Sequence, residues 1–257
     1  MRVFTTFLAA VHLLVLAPSE ELAWKPLFDG KSLHGWTVKV AKHPLGENFA
    51  NTFRVEDGIL KVSYDDYQSF DMQVAHLYSD LSYSHYRLRL KYKFVEDFRA
   101  DAPPWTKRNS GVMLHSQSPL SMELDQAFPV SIEAQFLAEE TEAGRQTGNA
   151  ATPGTHISIN GQQTTDHIID SSSALHPINT WIQVEVLVRG HEELVYFING
   201  EEVLRFHSPV LDPEDPDAKR LLDAGASPAI GFGHIALQAE GQAIWFRDIE
   251  IMPLAKP

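Results

Sequence analysis

The sequence predicts an all-β protein whose antiparallel strands form a two-sheet sandwich or a closed barrel. Short segments in which apolar and polar residues alternate recur along the chain, and Asp-Gly and Asn-Gly turn signals separate several of them. No segment sustains the 3.6-residue apolar period of an amphipathic helix. Many short strands separated by turns are typical of sandwiches and barrels.

The first half of the chain contains a hairpin and a long strand with one wet face. Residues 53–62 predict a hairpin that turns at Asp57 and Gly58, a pair that favours tight two-residue turns. Over residues 86–94, aromatic residues or leucines alternate with arginines or lysines. This period of two predicts a strand whose apolar side faces a core and whose basic side faces water.

The second half adds three further strand segments. Residues 181–188 carry isoleucine and valines at every second position, which predicts one buried side. Residues 194–206 predict a hairpin around an Asn-Gly pair. Residues 234–252 predict another hairpin, which turns near Glu240.

Two long segments without strand periodicity interrupt this pattern. Residues 139–155 are rich in Gly, Thr and Asn, and residues 208–228 are rich in Pro and Asp, with a short helical turn predicted over 219–223. Irregular segments of this length on a β scaffold are usually functional rims or are disordered. No repeat or linker divides the chain, which predicts a single domain.

Composition limits the classes of function. The 257 residues carry a formal net charge of −13, so nucleic acids and anionic lipid surfaces are unfavourable partners, whereas neutral sugars and divalent cations are compatible. The chain has no cysteine, which excludes disulfides, thiol nucleophiles and zinc–thiolate sites. Solubility alone explains much of the acidic charge.

Residues 1–19 predict a secretory signal peptide. Arg2 precedes an apolar run over residues 7–17, and Ala17 and Ser19 form a small-x-small cleavage pattern. The run is too short to span a bilayer as a permanent helix, and a buried N-terminal helix is the alternative. Export of a chain without cysteine favours a bacterial periplasmic or secreted protein, with no membrane attachment after the signal is removed.

One strand places polar side chains opposite an apolar face. Ser131, Glu133 and Gln135 lie on one side, because side chains alternate across a strand. The opposite side, which we expect in the core, consists of Val130, Ile132, Ala134 and Phe136. The polar side is expected to present a carboxylate to a ligand. The alternatives are a solvated strand face or a glutamate that pairs with a neighbouring arginine.

This strand offers no second acid beside Glu133. Two-carboxylate glycoside hydrolysis requires one across the scissile bond, roughly 5 to 9 Å away. Gln135 cannot serve as an acid or as a carboxylate nucleophile, and Glu123 and Asp125 lie in a proline-bracketed segment that predicts a loop. The strand by itself therefore gives conventional hydrolysis little support.

Several short motifs resemble, in order, those of a known family. They are LFDGKSLHGW at 27–36, NSGVMLHS at 109–116, VSIEAQF at 130–136, TGNAATPGTH at 147–156, and then NTWIQVEVLVRG, INGEEV and IALQAEGQAIWFRDIEI. Together they resemble the 3-keto-disaccharide hydrolase family, also described as 3-keto-glucoside 1,2-lyases and 3-keto-2-hydroxy-glucal hydratases. The resemblance covers about residues 25–253. It implies a concanavalin-like jelly-roll sandwich of two antiparallel sheets.

The resemblance also implies an enzyme that cleaves 3-keto-glycosides by β-elimination and hydration. A ketone at C3 acidifies the C2 proton, so a base can remove this proton and the C1 substituent can leave, after which water adds across the double bond. This path needs a base near C2, an oxyanion stabiliser at O3 and a proton donor at the glycosidic oxygen. Glu133 and His115 are the leading candidates for acid–base catalysis.

The Asn-Ser-Gly strand supplies further candidates. We expect His115 to share a face with Gly111 and Met113 and to act as a base or a metal ligand, although a histidine hydrogen-bonded on the sheet surface is the alternative. Asn109 suits a sugar hydroxyl, and Arg108 could stabilise an enolate. Their alternatives are turn chemistry and a surface charge.

The remaining candidates for substrate binding lie on predicted loops and turns. His156 follows the Thr-Gly loop, Glu240 lies at the predicted final turn, and Trp105 follows two prolines in a loop where an exposed aromatic suits a ligand platform. Relatives often carry Arg at the position of His115 and His at that of Glu240. A divalent cation is possible, but the spacing of acids and histidines identifies no metal site.

Two other functions stay open at this point. One is a non-catalytic carbohydrate-binding module on the same sandwich, and the other is a conventional two-carboxylate glycoside hydrolase. A cleft in which Glu133 faces other titratable groups would favour an enzyme, whereas an aromatic groove without such groups would favour a binding module. The sequence does not determine the oligomeric state.

Overall fold

The computed structural model describes residues 22–139 and 145–256, in which the regular secondary structure consists of strands apart from one α-helix and short 3-10 turns. The predicted signal peptide lies outside the described residues. In chain order the elements are β1 (Lys25–Pro26), β2 (Trp36–Val40), β3 (Phe53–Glu56), β4 (Ile59–Val62), β5 (Ala75–Tyr83), β6 (His85–Phe98), β7 (Asn109–Ser116), β8 (Ile132–Leu137), β9 (Asn149–Ala151), β10 (Thr155–Ile159), β11 (Gln162–Thr164), β12 (Ile168–Ile169), β13 (Ile182–Arg189), β14 (Glu193–Ile198), β15 (Glu201–Leu211), α1 (Pro216–Asp223), β16 (Gly233–Ala239) and β17 (Gln242–Pro253). No helix in the described part is long and apolar enough to cross a membrane.

The strands form two antiparallel sheets, which confirms the predicted all-β sandwich. The larger sheet runs in the order β11-β10-β15-β14-β13-β6-β17-β4-β3, with β1 paired to β17. The smaller sheet runs in the order β12-β9-β8-β7-β16-β5-β2. Strands adjacent in sequence often lie in different sheets, so the chain crosses the sandwich repeatedly.

The core lies between the two sheets, and alternation along the strands fixes which side chains enter it. In β6 the side chains at every second position from Tyr86 to Phe94 are buried, whereas the basic side chains between them are partly exposed. Phe136 of β8 stacks on Tyr92 of β6 with ring centroids 4.4 Å apart, and its centroid lies 6.5 Å from that of Phe246 in β17. These contacts join the smaller sheet to the larger one.

Two of the three predicted hairpins are confirmed, and the last one is wrong. The hairpins at 53–62 and 194–206 are β3–β4 and β14–β15. In the segment 234–252, however, β16 pairs with β5 and β7 in the smaller sheet, while β17 pairs with β4 and β6 in the larger sheet. The connection between them is buried: Gly241 has a φ of 107°, and its amide donates to the Tyr64 hydroxyl at 2.6 Å. The chain crosses between sheets there because both strands already have partners on either side.

The two long irregular segments contain more regular structure than the sequence predicts. Residues 139–155 include β9, with 140–144 outside the described residues, and residues 208–228 include the end of β15 and α1. The Asp215 side chain caps α1 by accepting the amide protons of Asp217 and Ala218. A small apolar cluster anchors this helix, and its buried members are Val130, Leu211, Ala218 and Ile230.

Two buried histidines make the fold sensitive to acid. Burial lowers the pKa of His76 to about 3 and that of His115 to about 4, in each case from an ordinary value of 6.5. The folded protein therefore keeps both rings uncharged at a pH where the unfolded chain binds protons. Their contribution to stability is fully present above pH 6.5 and is lost as the pH falls toward the folded-state pKa values.

We expect the free energy of unfolding to fall by about 2 kcal/mol per buried histidine between about pH 7 and about pH 5. His76→Leu should remove His76's part of this decrease, because leucine cannot be protonated. Urea unfolding at both pH values measures the effect. His34→Leu, at an exposed site, should retain the wild-type pH dependence, and an unchanged dependence in His76→Leu would contradict the explanation.

Candidate functional site

A cavity of about 760 Å³ opens on the face of the smaller sheet that points away from the core. Its volume lies within the range of ligand cavities, roughly 300 to 1,000 Å³. The strands supply its floor, which consists of Asn109, Glu133, Gln135, Gln238 and Glu240. Its walls come from residues 127–130, 151–156, 165–168 and 212–217, together with Trp105 and Arg145. Both long irregular segments thus contribute to the rim.

β8 places Glu133 on the cavity floor because its side chains alternate. Ile132, Ala134 and Phe136 lie in the main core, whereas Glu133 and Gln135 line the cavity. This alternation agrees with the sequence prediction. Val130, which was also expected in the main core, packs instead in the small cluster under α1, because it precedes the start of the strand.

A glycine on the neighbouring strand makes room for the Glu133 carboxylate. Gly111 of β7 lies opposite Gln135, and a Cβ atom at Gly111 would lie 2.2 Å from Oε1 of Glu133. Real carbon–oxygen contacts are never that short, so alanine at this position would displace the carboxylate. The glycine of the Asn-Ser-Gly motif therefore has a steric role on the cavity floor.

Glu133 and Glu240 form a buried pair of interacting carboxyl groups. Burial raises the pKa of Glu133 to about 8. Burial, and in addition repulsion from Glu133, raises the pKa of Glu240 well above its ordinary value, while the positive charge of Arg145 acts in the opposite direction. Because ionisation of one carboxyl group hinders ionisation of the other, Glu240 stays protonated when Glu133 becomes ionised. The pair therefore offers one base and one acid together.

A chain of amide side chains fixes the remainder of the floor. Nε2 of Gln135 donates to Oδ1 of Asn109 at 3.1 Å, and Nδ2 of Asn149 donates to Oε1 of Gln135 at 3.3 Å. Nδ2 of Asn109 donates to the Trp105 carbonyl at 3.3 Å. Asn109 and Gln135 thus line the cavity and hydrogen-bond each other, and their contact with a sugar stays a prediction. Gln238, on β16, has a buried Oε1 without a hydrogen-bond partner in the described part of the chain.

The arginine that lines the cavity is not the one that the sequence predicts. Arg108 has a φ of 51°, and its guanidinium donates to the Glu139 carbonyl outside the cavity lining, so the structure gives its predicted place beside the substrate no support. Arg145 lines the cavity instead, and its Nη1 donates to the Lys107 carbonyl at 2.7 Å. Arg145 lies in the irregular segment, where no periodicity indicates which side chains face inward.

Two other predicted residues do not reach the cavity. His115 has a φ of 49° at a bulge between β7 and β16, which breaks the alternation that would have placed it beside Met113. Its Nε2 hydrogen-bonds the Gly190 carbonyl at 3.0 Å, on the connection between β13 and β14. Ser131 precedes β8, is fully buried, and donates its hydroxyl proton to the Pro129 carbonyl at 3.1 Å. Both side chains thus lie outside the cavity lining, and the structure gives their predicted roles no support.

His156 and Trp105 both line the cavity. Nε2 of His156 lies 3.3 Å from Oδ1 of Asp212, which follows the end of β15. Trp105 is 49% exposed at the rim, and its ring centroid lies 6.2 Å from that of Phe128. These two residues stand where a ligand entering the cavity would pass.

Sequence reasoning missed Gln238, although a signal for it was present. Gln238 and Glu240 alternate with the buried residues Leu237 and Ala239, so the same period of two that indicated Glu133 places both on the cavity face. Within residues 22–139 and 145–256, no cluster of three or more His, Asp or Glu side chains is placed to hold a metal ion. A divalent cation stays a prediction.

Several solved structures share this fold. Two chains from Parabacteroides distasonis ATCC 8503, each described as a candidate glycosyl hydrolase, are 18% and 20% identical to this one, with TM-scores of 0.54 and 0.55. The alignments cover 90% of this chain and 94% and 100% of those chains. The carbohydrate-binding module CBM66 of Bacillus subtilis is 10% identical, with a TM-score of 0.51 over 85% of this chain and 95% of the module. These likenesses confirm the concanavalin-like jelly-roll fold.

The sandwich fold and the family match together define the class, which is that of carbohydrate-active sandwich proteins. Residues 23–252 match the family described as the 3-keto-alpha-glucoside-1,2-lyase-like domain, and the chain belongs to this family. The family resemblance of the sequence motifs is thereby confirmed. No curated protein matches the sequence.

We expect Glu133→Gln to be more stable than the wild type at alkaline pH. The folded-state pKa of about 8 exceeds the ordinary 4.5, so folding favours the protonated carboxyl and wild-type stability falls as the pH rises through this interval. Glutamine is neutral at every pH, and its gain at about pH 9 should be on the order of a few kcal/mol. Urea unfolding at about pH 5 and about pH 9 measures it.

The exposed Glu201 provides the matched control, because Glu201→Gln should leave the pH dependence of unfolding unchanged. If Glu133→Gln loses stability at alkaline pH as steeply as the wild type, the Glu133 carboxyl is not buried in the way described.

Proposed function

We propose that this protein cleaves 3-keto-glycosides by β-elimination followed by hydration, with Glu133 and Glu240 as the acid–base pair. The observation that supports this most directly is the pair itself, two interacting carboxyl groups whose pKa values burial raises, on the floor of a sugar-sized cavity. Membership of the 3-keto-alpha-glucoside-1,2-lyase-like family supports the substrate class.

Glu133 is the base in the elimination step. A carboxylate whose conjugate acid has a pKa of about 8 is a stronger base than an ordinary glutamate, which suits abstraction of a proton from carbon. It removes the proton on C2, and the electron pair forms an enolate with the C3 carbonyl. The enolate then collapses, a double bond forms between C1 and C2, and the bond from C1 to the leaving oxygen breaks.

Glu240 is the acid in the same step and the base in the next one. Its raised pKa keeps it protonated beside the ionised Glu133, so it can give its proton to the leaving oxygen. In the hydration step the Glu240 carboxylate takes a proton from water as the water oxygen adds to C1. The protonated Glu133 returns its proton to C2. Both carboxyl groups thus end in their starting states, and the net reaction is hydrolysis.

Arg145 stabilises the charge that develops on O3 of the enolate. The acids in the cavity lining are Glu133, Glu240, Asp212, Asp215 and Asp217. Among the described residues that line the cavity, Arg145 is the one with an Arg or Lys side chain. An enolate oxygen requires a positive charge or hydrogen-bond donors, and a guanidinium provides both. Arg145 takes the role that the sequence assigned to Arg108.

Conventional two-carboxylate hydrolysis suits this pair less well. A retaining enzyme needs one carboxylate that is ionised in its resting state as a nucleophile, and an inverting enzyme needs an ionised base. Here burial raises the pKa of both groups, which disfavours an ordinary nucleophilic carboxylate but suits a base for a carbon acid.

Export to the periplasm or the exterior, through the predicted signal peptide, is part of the proposal.

We expect Glu133→Gln and Glu240→Gln each to lower kcat for a 3-keto-glucoside by about 10²- to 10⁴-fold, the usual contribution of a general acid or base. Release of the leaving group from the 3-keto-glucoside and from its unoxidised parent measures this for the wild type and both variants. In D₂O, product trapped early with borohydride should carry deuterium at C2.

Equal turnover of the unoxidised parent, without deuterium at C2, would indicate conventional hydrolysis. Binding of the sugars without turnover of either would indicate a carbohydrate-binding module.

A second experiment compares two neighbouring arginines. Arg145→Met should lower kcat for the 3-keto-glucoside by about 10²- to 10³-fold, because an uncompensated enolate raises the barrier. Arg108→Met removes the same charge outside the cavity and should change kcat by less than about threefold. Steady-state kinetics of both variants, with added guanidinium as a rescue agent for Arg145→Met, measures the difference. Equal losses in the two variants would contradict the assignment.

A further inference from the structure

The cavity has two chemically different parts. Its floor carries the carboxyl and amide groups described above, whereas the rings of Trp105 and Phe128, with centroids 6.2 Å apart, make one part of its wall apolar. A ligand that fits both parts must itself have a polar portion and an apolar portion. The polar portion matches a sugar ring over Glu133 and Glu240.

The apolar wall is held in place by contacts behind it. Phe128 lies between the ring of Trp105, at 6.2 Å, and the buried ring of His76, at 6.4 Å between centroids. Trp105 belongs to a single 3-10 turn, Pro104–Thr106, in which the Thr106 hydroxyl donates to the Pro103 carbonyl at 2.8 Å. The wall is therefore formed before any ligand binds.

The position of Trp105 is coupled to the catalytic floor. Its carbonyl accepts a hydrogen bond from Nδ2 of Asn109 at 3.3 Å, and Oδ1 of Asn109 accepts one from Gln135 at 3.1 Å. Gln135 lies two residues from Glu133 on the same face of β8. A sugar placed over Glu133 thus has Trp105 at a fixed position beside it.

The indole ring leaves apolar surface uncovered. Trp105 is 49% exposed, although the ring of Phe128 lies beside it with its centroid 6.2 Å away. Burying the remaining apolar surface of an aromatic ring gains free energy in proportion to its area. A ligand group that lies against Trp105 and Phe128 would obtain that gain.

We propose that Trp105 and Phe128 form a leaving-group subsite that takes an aromatic aglycone in preference to a second sugar. The proposal rests on the function proposed above. A second sugar brings hydroxyl groups that lose hydrogen bonds to water, and the two rings of this wall offer them a single donor, the indole N–H of Trp105. An aromatic ring has no such cost and stacks on the indole. The acids around the cavity disfavour an anionic leaving group.

The test compares two substrates on three variants. The substrates are a phenyl 3-keto-glucoside and a 3-keto-disaccharide of the same anomeric configuration. Trp105→Ala should lower kcat/KM for the phenyl substrate by about tenfold, mainly through KM, and that for the disaccharide by less than about threefold. Trp105→Phe should retain most of the activity on the phenyl substrate. Leu81→Ala, at a side chain 67% exposed and outside the cavity, is the matched control and should change neither.

Equal losses on the two substrates, a larger loss on the disaccharide, or no loss on either would overturn this inference while leaving the proposed function intact. If the wild type turns over neither substrate, the proposed function fails, and binding decides the subsite separately. Calorimetric titration with phenyl glucoside and with the unoxidised disaccharide should then show tighter binding of the phenyl compound, lost in Trp105→Ala. Equal affinities, or no effect of the substitution, would overturn the subsite as well.

Discussion

The packing of Phe136 on Tyr92 is the contact from which the arrangement of the site follows. The two rings stack with centroids 4.4 Å apart and fix β8 against β6 across the core. Once Phe136 faces inward, the alternation of a strand leaves Glu133 and Gln135 on the other side, above the cavity floor. The Tyr92 hydroxyl also bonds the Thr147 hydroxyl at 2.8 Å, so the same aromatic pair positions the Thr-Gly loop beside the cavity. One contact between aromatic rings thus positions both the strand on the cavity floor and the loop beside the cavity.

The buried carboxyl pair lowers the stability of the folded chain at alkaline pH, and in the proposed mechanism it supplies a base and an acid. Burial raises the pKa of both groups, and repulsion from Glu133 raises that of Glu240 further, which means that ionisation at alkaline pH destabilises the folded chain. The surrounding structure tolerates this pair because it is rigid: Gly111 leaves room for Glu133, and Tyr64 holds the buried connection that carries Glu240. The same rigidity keeps base and acid in fixed positions, which a proton-transfer reaction requires.

The cavity combines groups that arrive from distant parts of the sequence. Strands of the smaller sheet bring the acids, the two long irregular segments bring Arg145 and Asp212, and a single 3-10 turn brings Trp105. The amide chain from Asn109 to Gln135 links this turn to the floor, so Trp105 and the strand that carries Glu133 share one support. Such a division, with regular strands below and loops around the rim, is common in enzymes built on β scaffolds.

The sequence alone determined the strand content, two of the three hairpins and the orientation of Glu133, because a period of two is a local property of the chain. The tertiary structure alone decided that β16 and β17 lie in different sheets, since strand pairing depends on partners far away in sequence. It also placed His115 outside the cavity lining, because a bulge reverses the expected direction of its side chain. Arg145 rather than Arg108 lines the cavity for a similarly non-local reason. Alternation predicts which way a side chain points only while the strand is regular, and an irregular segment carries no such rule. Its side chains are placed by contacts that no local pattern records.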